Sequence, residues 1–240
     1  MSPGEHIAIL GPNGSGKSTL VKLMTGELYP LAGVPGSRFR LFGQEYWALE
    51  DVRERTGLVA LDMLNNLSHE VTAREVTARE MVLSGFFNSL GLWPHHQVTP
   101  AQERRARDIL RFLEISPLTH RPLSAMSSGE QRRALIGRAL VHNPEALILD
   151  EPTNSLDPGA VREFRQVLRK LARAGKSLIL VTHHLSDLIP EIERVILMKE
   201  GRIVADGPTR RTLTSVALSR LFDTKLRVVP RSGNYDLVSA

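Results

Sequence analysis

The sequence predicts an α/β fold in which a mostly parallel sheet is interrupted along the chain by an all-helical segment. Three observations support this prediction. Residues 146–149 are apolar at every position, as expected for a central parallel strand covered on both faces. Strand and helix patterns alternate at both ends of the chain. Helical periodicity prevails between them, in residues 62–141.

The N-terminal part begins with a short apolar strand at residues 6–10, followed by a glycine-rich stretch and a helix from about residue 18. Gly26 is placed to end that helix, because glycine readily adopts the left-handed conformation that follows a helix. Further strands are predicted at residues 38–42 and 57–61. These elements supply the first part of the predicted sheet.

The middle segment is predicted to be helical, with helices at residues 75–87, 100–113 and 128–141 and a loop at 91–99. After it, the apolar strand at 146–149 restores the alternation of strands and helices. The middle segment is therefore an insertion into the α/β pattern.

A long amphipathic helix follows that strand. Asp157 provides an N-cap, Pro158 suits the first helical position, and Gly175 provides the stop. The sheet then continues with predicted strands at residues 177–182, 195–198 and 203–205.

The composition excludes several kinds of site. The 240 residues include no cysteine, which rules out disulfides, thiolate metal sites and cysteine nucleophiles. No apolar run reaches the roughly eighteen residues that a transmembrane helix needs. The formal net charge is +5, but acidic and basic residues interleave. This pattern favours solvated helix faces over a nucleic-acid interface, and a basic surface facing anionic lipid is a further alternative.

The glycine-rich stretch after the first strand matches the phosphate-binding P-loop pattern in full. Its residues, with the threonine that follows, are Gly11, Pro12, Asn13, Gly14, Ser15, Gly16, Lys17, Ser18 and Thr19. Glycines let backbone N–H groups approach phosphate oxygens, and the helix dipole favours an anion there. Lys17 is expected to reach the β- and γ-phosphates of a nucleotide, and Ser18 to ligate Mg²⁺. A chance glycine-rich turn is the alternative, which the flanking strand and helix disfavour.

Three polar residues follow strands that end at the same predicted sheet edge. Asp150 and Glu151 come directly after the apolar strand, and His183 ends the strand at 177–182. Ligands bind at this edge of parallel sheets. We interpret Asp150 as the Mg²⁺ partner, Glu151 as the general base for an attacking water, and His183 as a contact to the γ-phosphate or that water. Exposed acids in a loop and a structural histidine are the alternatives.

Further motifs accompany the P-loop in the order and spacing of the ABC ATPases. They are Met126–Gln131, the apolar strand with its acids at 146–151, Ser155-Leu156-Asp157, and Thr182-His183. The chain resembles this family over nearly its whole length, and Met126–Gln131 resembles the signature segment that other P-loop families lack. A capped helix start, with Ser127 as N-cap and Glu130 completing a capping box, also explains that segment. Both interpretations can hold together.

The resemblance implies a P-loop NTPase fold with a RecA-like core, arranged as one ATPase domain over residues 1–240. Residues 1–61 and 142–240 would form the α/β core, and residues 62–141 the helical subdomain that carries the signature segment. The implied ligands are ATP and Mg²⁺, with Ser18 and Asp150 on the metal.

The resemblance also implies partners. Two copies, or a pseudo-dimer, would face opposite ways, with each nucleotide between the P-loop of one subunit and the signature segment of the other. The residues contributed in trans would be Ser127, Ser128, Gly129 and Glu130. Asp157 would belong to the D-loop, which communicates between the two sites. A transmembrane permease subunit is the other implied partner, which places the chain at the cytoplasmic face of a cell membrane.

The chain departs from the family in its signature segment and in the loop after residue 60. Met126, Ser128 and Glu130 replace the commonest leucine, glycine and glutamine. Leu61 stands where the family usually carries a glutamine that links the nucleotide site to the membrane partner. The candidate substitutes nearby are Asp62, Asn65 and Asn66.

A third departure concerns the residues before Pro3. The family normally has about two strands there, including an aromatic residue that stacks on adenine. Their absence from this sequence leads us to expect weaker adenine discrimination and an exposed sheet edge.

We therefore expect an ATPase that powers a membrane transporter. Residues 201–222 resemble importer ATPases for metal or siderophore uptake, which favours import of a small solute. Two alternatives stay open. A soluble ABC protein acting on ribosomes or nucleic acid would usually carry two cassettes or a long inserted coiled coil. An ATP-binding module with little turnover would not need Glu151 and His183.

Overall fold

The computed structural model describes residues 4–31, 38–60, 63, 75–231 and 234–239. A six-stranded sheet lies at its centre. Its strands are β1 (His6–Leu10), β2 (Thr56–Ala60), β3 (Ala146–Asp150), β4 (Ser177–Thr182), β5 (Arg194–Lys199) and β6 (Arg202–Pro208).

The order of the strands across the sheet is β2-β3-β4-β1-β5-β6. The strands from β2 to β5 pair in parallel, whereas β6 pairs antiparallel with β5 at the edge. β3, β4 and β1 are therefore neighbours, and the loops that follow them open side by side. This topology brings residues distant in sequence to one edge of the sheet.

Helices lie between the strands of this sheet along the chain and after its last strand. They are α1 (Lys17–Met24), α2 (Leu49–Arg55), α3 (Ala78–Ser84), α4 (Pro100–Phe112), α5 (Ser128–Ala139), α6 (Pro158–Arg173), α7 (Thr209–Thr212) and α8 (Ser215–Phe222). Single 3₁₀ turns occur at Gly85–Phe87, Ser116–Leu118, Leu123–Ala125 and Leu185–Asp187. Strands β7 (Leu226–Arg231) and β8 (Asn234–Ser239) form a separate antiparallel hairpin.

The two faces of the sheet carry different cores because successive side chains of a strand point to opposite faces. On one face, Ile7 and Ile9 of β1 pack with Val21 of α1. On the other face, Leu10 belongs to the larger core, which includes Phe164 of α6. Phe164 is almost fully buried. Its truncation to alanine should destabilise the fold by about 3–5 kcal/mol.

The described elements between β2 and β3 are all helical, and two glycines set their spacing. A Cβ on Gly137 of α5 would lie 2.7 Å from a methyl carbon of Val82 in α3. A Cβ on Gly85 would lie 2.2 Å from the carbonyl oxygen of Arg138. The ends of α3 and α5 therefore pack closer than any larger residue permits. Within the described residues, every helix is too short or too polar to span a bilayer.

The predicted α/β class with a mostly parallel sheet is confirmed. Several element boundaries differ by a few residues. The helix predicted at 75–87 is shorter, because α3 begins only after the capping residue Thr77 and gives way to the 3₁₀ turn at Gly85–Phe87. The helix after the P-loop begins at Lys17.

The predicted strand at 38–42 is wrong. Leu41 and Gln44 exchange backbone hydrogen bonds of 3.0 and 2.9 Å, which closes a tight turn. Phe42 and Gly43 both have positive φ angles, 51° and 81°, which a strand does not contain. The alternating Arg-Phe pattern imitates a strand, but the turn reverses the chain within it.

Candidate functional site

The P-loop wraps tightly around the start of α1. A Cβ on Gly11 would lie 2.3 Å from the carbonyl oxygen of Met198, so only glycine fits there. Gly14 and Gly16 have φ angles of 77° and 96°. The turn after β5 holds the loop from outside, since the N–H of Gly201 donates to the carbonyl of Ser15 at 3.0 Å. The loop is thereby fixed in the shape that its glycines allow.

The N-terminus of α1 is open to an anion. Gly16 is its N-cap, no side chain caps it, and its first turn contains no acidic residue. The first N–H groups of a helix have no partner within the helix, and they carry the positive end of its dipole. Ser18 and Thr19 in this first turn are exposed. This geometry fits the phosphates of a nucleotide.

Lys17 lies beneath the loop, with only 5% of its surface exposed. Its ammonium group donates to the carbonyl oxygens of Gly11 and Pro12, at 2.9 and 3.1 Å. It also lies 3.8 Å from the Glu151 carboxylate. Burial lowers the pKa of Lys17, while the charges of Glu151 and Asp150 act in the opposite direction. The cation is held where the loop and the strand-end acids meet.

Glu151 occupies a constrained position after β3. Its φ angle is 47°, in the left-handed region, and its N–H donates to the carbonyl of Val181 in the neighbouring strand at 2.8 Å. One carboxylate oxygen lies 3.0 Å from Nδ1 of His183, and the other accepts a hydrogen bond from the Asn154 amide. Such backbone conformations cost energy and persist where surrounding contacts enforce them.

Burial raises the pKa of Glu151, but opposing interactions outweigh that effect. The hydrogen bonds and charge of His183, the hydrogen bond from Asn154 and the nearby Lys17 hold the pKa of Glu151 below its usual value. Glu151 is therefore ionised at neutral pH and able to accept a proton.

Asp187 supports this site, and sequence reasoning missed it. It is almost fully buried, and its carboxylate accepts hydrogen bonds from the hydroxyls of Thr153, at 2.5 Å, and Thr182. Thr153 lies in the loop that carries Glu151, and Thr182 ends β4 directly before the loop that carries His183. The available signal was an acidic residue surrounded by apolar ones, at Leu185–Ile189. A buried carboxylate needs such partners, so Asp187 ties the two loops together.

Ser18 and Asp150 offer oxygen atoms of the kind that Mg²⁺ prefers. Ser18 is exposed in the first turn of α1. Asp150 ends β3 and interacts electrostatically with Lys17, the neighbour of Ser18 in sequence. A hydroxyl and a carboxylate beside a phosphate-binding loop fit this ion.

The fold brings the predicted residues together in two groups. Residues 11–19, Asp150, Glu151 and His183 meet at one edge of the sheet. Ser127, Ser128, Gly129 and Glu130 lie at the start of α5 instead, and in the described part of the chain no hydrogen bond or ion pair joins them to the P-loop. Leu61, Asp62, Asn65 and Asn66 lie outside the described residues.

The start of α5 contains the capping box predicted for it. Ser127 accepts from the N–H of Glu130, and the Glu130 carboxylate accepts from the N–H of Ser127 at 2.7 Å. Met126 is buried and replaces the usual leucine with another apolar side chain. Asp157 caps α6, accepting from the N–H groups of Gly159 and Ala160 at 2.8 and 3.0 Å.

Comparison with known proteins decides the family. A family model described as ABC transporter matches residues 1–154. The chain belongs to the ABC transporter family. ABC ATP-binding cassettes hydrolyse ATP, and the chain is an ATPase of this kind. The expected P-loop NTPase fold and ABC membership are thus confirmed.

The ABC relatives include importers and exporters. The cobalt import ATP-binding protein CbiO of Rhodobacter capsulatus is 36% identical over 215 residues, which cover 89% of this chain and 72% of that protein. The Nod factor export ATP-binding protein I of Burkholderia thailandensis is 34% identical over 218 residues, covering 90% and 66%. These relatives support ATP-driven transport in general and do not separate import from export.

A solved structure has the same fold. The chain matches cbiO1 from Clostridium perfringens, described as part of the ABC transporter complex cbiONQ, with a TM-score of 0.74 and 28% identity. The match covers 92% of this chain and 83% of that one.

Proposed function

We propose that two copies of this ABC ATPase close around two MgATP molecules and reopen after hydrolysis, and that this cycle powers a membrane transporter. The main observation that supports this proposal is the position of the Glu151 carboxylate. It lies 3.8 Å from the Lys17 ammonium and 3.0 Å from the His183 ring, beside a helix N-terminus that no side chain caps. A base, a cation and an anion site thus meet at one edge of the sheet.

The P-loop N–H groups and Lys17 bind the triphosphate in this proposal. Glu151 accepts a proton from the water that attacks the γ-phosphorus, the bond to the bridging oxygen breaks, and ADP and phosphate are the products. His183 holds the carboxylate and contacts that water or the γ-phosphate. Ser18 and Asp150 would hold Mg²⁺, which neutralises phosphate charge when bound.

The second copy completes each site in this proposal. The signature residues Ser127, Ser128, Gly129 and Glu130 have no hydrogen bond or ion pair to their own P-loop among the described residues, which supports their reaching a nucleotide held by another molecule. At the start of α5, Ser127 and Ser128 are exposed, and Gly129 and Glu130 are partly exposed. Gly129 would offer its N–H and Ser127 its hydroxyl to the γ-phosphate. Asp157, at the start of α6, would transmit changes between the two sites.

We further propose that residues 1–61 and 142–240 act as the nucleotide-binding core and residues 62–141 as a helical subdomain that carries the signature segment. The partner would be a transmembrane permease subunit, which would hold the chain at the inner face of the membrane. Membership of cbiO1 in a transporter complex supports such a partner. Import of a small solute is favoured by the resemblance of residues 201–222 to importer ATPases.

Replacement of Glu151 by glutamine tests the proposal. Glu151→Gln should lower the ATP turnover rate by at least about a hundredfold, because glutamine cannot accept the proton. ATP binding should persist, so the variant should accumulate as an ATP-bound dimer in size-exclusion chromatography with light scattering. Glu114→Gln, at an exposed ion pair with Lys170, is the matched control and should behave as the unaltered chain.

Unchanged turnover in Glu151→Gln would dismiss Glu151 as the base. A variant that stays monomeric at saturating MgATP would contradict the closure of two copies. The membrane partner needs a separate test, in which the tagged chain is purified from detergent-solubilised membranes. We expect a multi-spanning membrane protein to co-purify with the chain. High salt, or mutation of the chain, should release that membrane protein.

A further inference from the structure

Arg132, on the first turns of α5, is a buried cation without a carboxylate partner. Only 3% of its surface is exposed. Its guanidinium donates to the carbonyl oxygen of Ser128, at 3.2 Å, and to that of Asn154. No ion pair between Arg132 and an acid occurs in the described part of the chain. Both of its hydrogen-bond partners are thus neutral backbone groups.

This arrangement opposes the usual preference for paired buried charges. Burial lowers the pKa of the Arg132 guanidinium, and a buried charge without an ionic partner is costly. An apolar residue at this position would avoid the penalty. Arg132 connects the signature segment, at Ser128, with the loop after Glu151, at Asn154, which offers a reason for its presence.

Asn154 continues the connection to Glu151. The Asn154 side-chain amide donates to one carboxylate oxygen of Glu151, and the Asn154 N–H donates to the Glu151 carbonyl at 3.2 Å. The other carboxylate oxygen of Glu151 meets His183. A continuous path of hydrogen bonds therefore runs from Ser128 through Arg132 and Asn154 to Glu151.

Two further contacts fasten the same segments together. The position of a Cβ on Gly129 lies 3.8 Å from the Cβ of Ala160, at the start of α6. Arg133 forms an ion pair with Glu163 of α6, at 2.6 Å. The start of α5 and the loop from Glu151 to Asp157 thus share an interface, and Arg132 is its buried hydrogen-bonding element.

We propose that Arg132 is a positioning residue that makes the orientation of Glu151 depend on the signature segment of the same chain. This inference rests on the proposed dimer, in which that segment contacts the nucleotide bound by the other copy. Occupancy of one site then moves Ser128 and Arg132, and the movement reaches Glu151 of the second site through Asn154. The consequence is cooperative hydrolysis between the two sites.

The test compares Arg132→Gln with Arg111→Gln, at an exposed arginine of α4. Arg132→Gln should lower kcat about tenfold, with the KM for ATP changed less than about twofold, because it disturbs the base and leaves the P-loop intact. The Hill coefficient of hydrolysis should fall from above 1 in the unaltered chain to near 1. Arg111→Gln, which removes an exposed ion pair with Asp108, should leave kcat and the Hill coefficient unchanged.

A double variant separates positioning from simple structural support. In an Asn154→Ala background, Arg132→Gln should lower kcat little further, since the path is already broken. Arg132→Lys, which keeps the charge, should have a higher kcat than Arg132→Gln. It replaces Arg132→Gln in the test if the glutamine variant unfolds.

Several results would overturn the proposal. A lower melting temperature in Arg132→Gln and Arg132→Lys, with unchanged kcat and Hill coefficient, would mean a purely structural role. Additive effects of Arg132→Gln and Asn154→Ala on kcat would mean that the two residues act independently, which contradicts the proposed path. A Hill coefficient of 1 for the unaltered chain, alongside an ATP-bound Glu151→Gln dimer, would reject the coupling and leave the proposed dimer standing. A Glu151→Gln chain that stays monomeric would instead reject the dimer itself.

Discussion

The helices α1 and α5 both begin at residues proposed to contact phosphate, but their first turns are completed in opposite ways. The start of α1 follows Gly16 in a left-handed conformation, with no side-chain cap and no acid in its first turn. The start of α5 is closed by a complete capping box between Ser127 and Glu130. The N–H groups at the start of α1 are therefore available to a ligand. At the start of α5, side chains of the helix itself accept hydrogen bonds from some of these groups.

Because of this difference, we expect α1 and α5 to affect different steps, nucleotide binding and association of two copies. Because α1 is open before any ligand arrives, the phosphates replace only water there, and α1 should dominate the affinity of a single chain for ATP. The start of α5 is stable alone, and the Glu130 charge opposes an incoming phosphate. α5 should therefore affect association of two copies more than nucleotide binding by one.

The largest expected effect is on the open helix. Lys17→Ala removes the ammonium group that lies beneath the P-loop, and ATP affinity of the single chain should fall at least about a hundredfold. Isothermal titration with ATP measures this change. Lys22→Ala, in the last turn of the same helix, is the control and should bind ATP normally. Equal ATP affinities for Lys17→Ala and the unaltered chain would contradict the proposal that the start of α1 dominates ATP binding.

The second effect separates capping from phosphate contact at α5. Ser127→Ala loses the cap and should lower the free energy of unfolding by about 1 kcal/mol. Ser127→Asp keeps a capping oxygen, so its stability should match the unaltered chain, but its charge should weaken ATP-dependent dimerisation more than about tenfold. Urea unfolding and analytical ultracentrifugation measure the two quantities. Dimerisation of Ser127→Asp at the unaltered affinity would remove Ser127 from the proposed contact.

A smaller effect is expected at Glu130. Glu130→Gln keeps an acceptor for the Ser127 N–H and removes the negative charge, so ATP-dependent dimerisation should strengthen by about two- to fivefold. The gain should shrink at high salt, because screening weakens the repulsion in the unaltered chain. A gain that is independent of salt, or no gain, would contradict the electrostatic account of α5.

The smallest effect concerns pH. The pKa of Glu151 is held below its usual value in the folded chain, so its contribution to stability is complete above the unfolded pKa of about 4.3. That contribution is lost as the pH falls through the lower, folded pKa. His183→Ala removes one hydrogen bond that lowers the pKa, so the loss, which still begins at the unfolded pKa, should be complete at higher pH and be smaller in total. His184→Ala, an exposed neighbour, is the control, and urea unfolding from neutral to acid pH measures both.

The residues found from sequence are those whose role follows from their neighbours in the chain. The P-loop is a contiguous pattern, and Glu151 and His183 are recognised because each directly follows an apolar strand. Arg132, Asn154 and Asp187 were missed because their partners lie far away in sequence. Asp187 bonds Thr153, 34 residues distant, and Arg132 bonds Asn154, 22 residues distant. Such pairs become visible only when the fold brings two segments together.

The errors in the fold have local causes. The strand predicted at residues 38–42 had a suitable pattern of side chains, but the positive φ angles of Phe42 and Gly43 turn the chain there. The hairpin of β7 and β8 was not predicted, and Pro230 within β7 disfavours a strand by local propensity. Cross-strand pairing with β8 outweighs that propensity.

The most direct test of the central claim mixes two inactive variants. Lys17→Ala has a damaged P-loop and an intact signature segment, whereas Ser127→Asp has the reverse. If each site combines the P-loop of one copy with the signature segment of the other, the mixed dimer contains one intact site, and the mixture should hydrolyse ATP well above the sum of the separate variants. Activity no higher than that sum, with exchange of subunits demonstrated, would contradict the account.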